Sequence, residues 1–198
     1  MKNKIIIIVI TGAASSGKTT VIKMLSKQMA SEGIPVFTLQ ETATELLESG
    51  FNTATDKKLF QSSLFDFQFS KERIYREYIA SFAKEKAVLL IDRSLLDGAV
   101  YISDEDFSDI IFKYGLTKKS ILARYDAVIQ LQTSAFVTDY SRSDNNEYRI
   151  EESAEECIGQ DKKLKELYLT HDNYSYVKSE ADFDAKFNRV CSIVKSLI

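Results

Sequence analysis

The chain has 198 residues, 44% of them hydrophobic and 28% charged, which is long enough for one domain with a substantial core. Its formal net charge of -3 argues against broad electrostatic binding of nucleic acid, and its composition is unlike that of disordered, fibrous or disulfide-rich proteins. Its two cysteines stand far apart and histidine occurs once, so a zinc site made of Cys and His is not expected. Two unpaired cysteines also predict a reducing, cytoplasmic location.

Apolar runs along the chain predict five β-strands. The first and third runs are continuously apolar, which is typical of strands covered on both faces of a parallel sheet. The first run is too short to span a membrane, and no targeting signal is evident. The predicted strands are Ile5–Ile10, Val36–Leu39, Val88–Ile91, Ala127–Leu131 and Tyr174–Val177.

Helical patterns alternate with these strands. The predicted fold class is therefore α/β: a three-layer sandwich with helices on both faces of a five-stranded parallel sheet, in a single domain over residues 1–198. The predicted helices are Thr19–Ser31, Asp56–Lys84, Glu151–Tyr168 and Ala181–Ser196. A core-facing stripe is predicted in the second helix, formed by Phe60, Leu64, Phe67, Ile74, Tyr78 and Phe82. The segment Ser103–Ser120 is interpreted as a surface helical insertion.

Directly after the first strand, the loop Gly12–Thr19 matches the pattern G-x-x-x-x-G-K-[ST] at every position. Its glycines allow backbone angles that other residues resist, so its N–H groups can surround an anion at the start of the next helix. Lys18 adds a positive charge for the outer phosphates, and Thr19 offers a hydroxyl ligand for Mg²⁺. The alternative is that the loop matches this pattern by chance. The residues predicted to bind ATP with Mg²⁺ are Gly12, Ala13, Ala14, Ser15, Ser16, Gly17, Lys18, Thr19 and Thr20.

The third strand leads into Asp92 and Arg93, at the edge where open α/β sheets bind ligands. Asp92 is predicted to support Mg²⁺, directly or through water. Arg93 is predicted to hold a phosphate or an acceptor group. The alternative for this pair is a salt bridge at the strand end.

The stretch IDRSLLDGAVY, which begins at Ile91, resembles the P-loop kinases of nucleosides and nucleotides. It resembles more closely a group identified as AAA-type ATPases or predicted nucleotide kinases. In that group a strand ending in D-R-x-x-x-D-G precedes a YD-V strand, a lid and a last tyrosine-rich strand. The lid of this chain departs from the group's pattern at residues 144–146. The resemblance is carried by Asp92, Arg93, Asp97, Gly98 and Tyr101, by Tyr125 and Asp126, by Tyr140, Arg142, Arg149 and Glu151, and by Tyr174, Tyr176 and Val177.

The resemblance implies roles for residues outside the phosphate loop. Glu41, after the second strand, corresponds to a general base that accepts a proton from the acceptor hydroxyl; an acid favoured by a helix N-terminus is the alternative. Gln68 and Asp97 would contact the acceptor, and solvated helix polarity is the alternative for Gln68. A lid at about 139–150 would close over the transferring phosphate, unless it is an ordinary exposed loop.

Together these residues favour an ATP-dependent phosphotransferase that acts on an unidentified small-molecule acceptor. A partner-regulated ATPase or switch and a pure nucleotide sensor are the alternatives. A Ras-type GTPase is disfavoured because the string N-K-x-D is absent, and a hexameric AAA+ motor because the chain is too short for its helical lid domain. No nucleic-acid or membrane partner is expected, and analogy with related kinases allows a homodimer. The predicted catalytic residues are Lys18, Glu41, Arg93, Arg142 and Arg149.

Overall fold

The computed structural model describes residues 5–52, 56–82, 86–137, 153–180 and 182–198. Within them, five parallel strands form one sheet in the order β2-β3-β1-β4-β5. The five predicted strands are confirmed, and the structure extends the first by one residue and the third by one residue at each end. Their bounds are β1 (Ile5–Thr11), β2 (Val36–Leu39), β3 (Ala87–Asp92), β4 (Ala127–Leu131) and β5 (Tyr174–Val177).

The four predicted helices are also present, with ends shifted by a few residues, and three further α-helices occur in the described ranges. Short 3₁₀ turns at Asp97–Val100 and Ser134–Phe136 follow β3 and β4. The α-helices are α1 (Lys18–Ser31), α2 (Thr42–Glu48), α3 (Lys57–Phe82), α4 (Asp104–Phe112), α5 (Lys118–Leu122), α6 (Ala154–Tyr168) and α7 (Phe183–Leu197). None of the helices among the described residues is long and apolar enough to cross a membrane.

Alternate side chains of the central strand β1 pack into two separate cores. Ile6, Ile8 and Ile10 pack with the apolar residues of α1 and α7. Ile7 and Val9 point the other way and pack with α3, α4, α5 and α6. Burial of each such aliphatic side chain stabilises the fold by about 1.5–3 kcal/mol. The predicted three-layer α/β fold is confirmed, and its two cores hold the carboxyl edge of the sheet in place.

The predicted apolar stripe of α3 is wrong in part. Phe60 is buried, but Phe67, Ile74 and Tyr78 are 41%, 53% and 58% exposed. The inward face of α3 instead contains Phe65 and Ile79 together with three buried polar residues, Gln61, Gln68 and Glu72. The prediction failed because it placed every large apolar residue inside, whereas this helix turns amide and carboxyl groups towards the protein interior.

The segment Ser103–Ser120 is not a surface insertion. It contains α4, whose Phe107 and Ile110 are 1% exposed and pack in the core beneath the sheet. The start of α5 follows, with a capping box between Thr117 and Ser120. The prediction missed this role because acidic residues surround the short apolar pattern of α4.

Candidate active site

The loop between β1 and α1 has a backbone that requires glycine at two positions. Gly12 has a φ of 148°, and a Cβ placed on it would lie 2.3 Å from the carbonyl oxygen of Leu131. Gly17 caps α1 with a φ of 83°, in the left-handed region. Glycine enters these conformations without the steric cost that a side chain brings. Strand, loop and helix therefore have the geometry that the sequence motif predicted.

Lys18 folds back over this loop. Its Nζ donates hydrogen bonds to the carbonyl oxygens of Gly12 at 2.9 Å and Ala13 at 3.1 Å, and to the Ser16 hydroxyl at 3.3 Å. Burial lowers the pKa of the Lys18 ammonium, and the positive charge of Arg93 lowers it further. An anionic phosphate in the loop would counter both effects, so the site is electrostatically suited to polyphosphate.

The loop is held from behind by residues that the sequence did not indicate. The Thr133 hydroxyl donates to the carbonyl oxygen of Ala14 at 2.7 Å, and the Thr133 backbone N–H donates to Asp161 of α6 at 3.2 Å. From α7, the buried Lys186 donates to the carbonyl oxygens of Ser16 and Gln132, both at 2.8 Å. No local sequence motif predicts these contacts, because the bonded residues are far apart in the sequence. Thr133 and Ala14 are more than 100 residues apart, and so are Lys186 and Ser16.

Asp92 lies at the end of β3 with one carboxylate oxygen unpaired. The residue is 3% exposed, and its Oδ1 has no hydrogen-bond partner among the described residues. Burial raises the pKa of Asp92 to about 6; the positive charge of Lys18 opposes this shift and the negative charge of Glu41 adds to it. A divalent cation would satisfy the orphaned oxygen and restore the ionised form. Asp92 and the exposed Thr19 hydroxyl, both oxygen donors, therefore fit Mg²⁺.

Arg93 has an unusual backbone conformation for a large residue, with a φ of 67°. Such a conformation costs about 1–3 kcal/mol and persists only where surrounding contacts enforce it. Here the Arg93 N–H donates to the carbonyl oxygen of Ile10 at 3.1 Å, and the Arg93 carbonyl accepts from Gln68 Nε2 at 3.1 Å. These contacts hold the Arg93 backbone in this conformation.

The guanidinium of Arg93 pairs with the carboxylate of Glu41, which directly precedes α2. Arg93 Nε donates to Glu41 Oε1 at 2.5 Å, and the Thr44 hydroxyl donates to the other oxygen at 3.0 Å. Burial works to raise the pKa of Glu41, but the positive charges of Arg93 and Lys18 and these hydrogen bonds hold it at about 2. Arg93 Nη1 is buried without a hydrogen-bond partner among the described residues. Nη1 lies 3.7 Å from Asp97 Oδ2 in an ion pair, so it is charge-paired but keeps its hydrogen-bonding capacity for a ligand.

The two predicted acceptor-binding residues differ in position. Gln68 lies on the wall of a cleft between α2 and α3, but its amide is already bonded to the Thr42 hydroxyl and to Arg93. Asp97 is buried beneath the site, where it accepts from Thr11 Oγ1 at 2.5 Å and from the Tyr168 hydroxyl. Asp97 thus ties β1 to α6 in this structure. The assignment of both residues to the acceptor stays a prediction.

The cleft between α2 and α3 opens beside the Glu41–Arg93 pair. Its enclosed space is about 30 Å³. Three further residues on its wall, Gln61, Gly98 and Phe107, were not predicted as site residues. A wider cleft of about 1330 Å³ lies elsewhere, between α5 and α6, and its described lining includes none of the predicted site residues. The predicted lid arginines, Arg142 and Arg149, lie outside the described residues.

The chain was compared with protein families and with solved structures. The family model described as "AAA domain" matches residues 7–186. No curated protein sequence matches the chain. A structure of deoxyadenosine kinase from M. mycoides with bound dATP is 17% identical, with a TM-score of 0.62, over 96% of this chain and 99% of that one.

Two structures of NadR protein are also similar. One, in complex with NR, is 17% identical with a TM-score of 0.68, over 97% of this chain and 51% of that one. The other, in complex with NAD and AMP-PNP, is 16% identical with a TM-score of 0.65, over 97% of this chain and 49% of that one. The chain therefore spans about half the length of these NadR chains. At such identities the likeness concerns the fold, which is that of P-loop nucleotide kinases.

Proposed function

The chain belongs to the AAA domain family, whose model spans residues 7–186, and from this premise we propose that it is a kinase that transfers a phosphoryl group from Mg-ATP to a small-molecule acceptor. One observation carries the proposal. Lys18 of the phosphate loop, Asp92 at the end of β3 and the Glu41–Arg93 pair lie close enough to shift one another's pKa, beside a narrow cleft between α2 and α3.

Each of these residues has a part in phosphoryl transfer. The loop N–H groups and Lys18 bind the phosphates, and Thr19 and Asp92 would hold Mg²⁺. Mg²⁺, when bound, supplies neutralisation of charge on the phosphate oxygens. Arg93, whose Nη1 makes no hydrogen bond within the described residues, would donate to the transferring group, and Glu41 would accept the proton of the acceptor hydroxyl once the acceptor has separated Glu41 from Arg93. Arg142 and Arg149 remain the predicted lid residues.

The solved structures favour an acceptor of nucleoside type. The similar proteins were crystallised with dATP, with NR, and with NAD and AMP-PNP. We therefore infer ATP as the phosphoryl donor and a nucleoside-like molecule as the acceptor. The homodimer and the cytoplasmic location stay predictions from the sequence.

Calorimetry and a coupled assay for ADP release test the proposal. Lys18→Ala should remove tight ATP binding and leave the melting temperature nearly unchanged, whereas Lys23→Ala, an exposed position on the same helix, should bind ATP as the wild type does. Micromolar ATP binding by Lys18→Ala would contradict the role of the loop. Consumption of ATP only in the presence of a nucleoside supports a kinase, and equal consumption without one indicates the ATPase instead.

A further inference from the structure

We propose that Gln61 determines acceptor specificity, because its side-chain carbonyl accepts a hydrogen bond from an N–H donor on a planar heterocycle. Gln61 lies on α3 and lines the cleft next to Glu41 and Arg93. The inference rests on the proposed kinase function and specifies which part of the acceptor the cleft recognises.

The side chain of Gln61 is buried and its oxygen is unsatisfied. The residue is 7% exposed, and its Oε1 has no hydrogen-bond partner among the described residues. Buried side-chain oxygens in folded proteins almost always have a partner, since an unpaired one destabilises the fold. The other polar side chains that α3 turns inward are paired: Gln68 bonds Thr42 and Arg93, and Glu72 accepts from Arg124 at 3.0 Å. Arg76, further along α3, also has a buried atom without a hydrogen-bond partner among the described residues, its Nε, but of these two residues only Gln61 lines the cleft.

Gly98 makes room for this oxygen. A Cβ placed on Gly98 would lie 2.6 Å from Gln61 Oε1, closer than two such atoms approach. Gly98 does not have a positive φ, so its backbone conformation gives no reason for glycine. The reason is space, because any side chain at position 98 would displace the Gln61 carbonyl from the cleft wall.

The surroundings of Gln61 favour a flat ring. Phe65 and Phe107 line the same cleft, with ring centroids 6.3 Å apart in an edge-to-face arrangement, and Leu95 adds a further apolar surface. The lining also contains polar groups, so the cleft offers apolar surface for an aromatic heterocycle that carries an N–H group next to groups that suit hydroxyls; the polar members besides Gln61 are Glu41, Thr42, Gln68, Arg93 and Ser94. Glu41 belongs to the same lining and suits a hydroxyl. A nucleoside has this division between ring and hydroxyl.

A ring is larger than the cleft in this structure, so the cleft must widen to bind one. The enclosed space of about 30 Å³ holds roughly one water molecule. Two contacts join α2 to α3 beside the cleft, the hydrogen bond from Thr42 to Gln68 and the ion pair of Lys71 with Glu45. An acceptor that bonds Gln61 would offset the loss of these contacts.

The test compares nucleosides that differ in one amino group: adenosine with its 6-deamino analogue, and cytidine with its 4-deamino analogue. Binding is measured as the shift in melting temperature without ATP, and turnover as kcat/KM with ATP. The wild type should favour the N–H member of one pair by about tenfold or more. Gln61→Leu should lose that preference and keep its KM for ATP, while Gln28→Leu on α1 should behave as the wild type.

The stability of the free variant separates recognition from a structural role. Replacing an unpaired buried amide by an apolar side chain of similar size should leave the melting temperature unchanged or raise it. A lowered melting temperature, an undiminished preference in Gln61→Leu, or absence of binding by both members of every pair would overturn the role of Gln61. If Gln61→Leu loses the binding preference, the role of Gln61 is supported even when no nucleoside is phosphorylated. Absence of phosphorylation would reject only the proposed kinase activity.

Discussion

Glu41→Gln should destabilise the protein at neutral pH, because it removes the negative partner of the buried Arg93 guanidinium. The pKa of Glu41 lies at about 2 in the folded protein, against 4.5 for the ordinary side chain. At about 1.4 kcal/mol for each pKa unit, this depression contributes at most about 3 kcal/mol to the free energy of unfolding. Since the Glu41 side chain is 24% exposed, solvent screening makes about 1–3 kcal/mol the expected range.

The stabilisation contributed by Glu41 depends on pH, and the direction of its pKa shift determines where the stabilisation is lost. The folded-state pKa of Glu41 is lowered, so the stabilisation is fully present above about pH 4.5 and is lost as the pH falls towards 2. The difference in unfolding free energy between wild type and Glu41→Gln should therefore shrink over this interval.

Urea denaturation at several pH values between 2 and 7 measures that difference. Glu48→Gln, at an exposed position on the same helix α2, serves as the control and should match the wild type closely. A difference that stays constant as the pH falls, or a Glu41→Gln protein as stable as the wild type at pH 7, would refute the pairing described above.

Two further predictions concern the phosphate loop and the cleft. Lys186→Met should raise the KM for ATP and change kcat less, because the phosphate loop loses the donor that holds the Ser16 carbonyl. Lys195→Met, on the exposed face of α7, is the control. An unchanged KM in Lys186→Met would show that Lys186 does not position the loop. Gly98→Ala should lower the melting temperature only slightly, since its methyl group would meet the flexible end of the Gln61 side chain at 2.6 Å and displace it. The double variant with Gln61→Ala should recover most of that loss, and a strictly additive result would argue against the contact.

The strands and the phosphate loop could be predicted because their signals are local. Ile5–Thr11 is apolar at almost every position, and its burial on both faces follows directly from that composition. The glycines at positions 12 and 17 and the lysine at 18 are fixed by backbone geometry and charge within one loop. A reader of the sequence needs no knowledge of the rest of the fold to place them.

The inward face of α3 could not be predicted in the same way. Its buried polar residues have partners in distant segments: Glu72 meets Arg124 and Tyr125, and Gln68 meets Arg93. Hydrophobicity alone assigns such residues to solvent and assigns Phe67 and Ile74 to the core, where the structure does not place them. The same limit applies to Asp97, whose ties to Thr11 and Tyr168 depend on the packing of β1 and α6.

The bond from Lys186 to the carbonyl of Ser16 joins two segments that leave the ribosome far apart in time. The phosphate loop is synthesised before α7, the helix that contacts it through Lys186. A nascent chain that lacks α7 would contain the intact Gly-Lys-Thr sequence, but its phosphate loop would lack the hydrogen bond from Lys186. The ability to bind nucleotide should therefore arise only after α7 has been synthesised, and fragments that end before Phe183 should bind nucleotide poorly although they contain the whole motif.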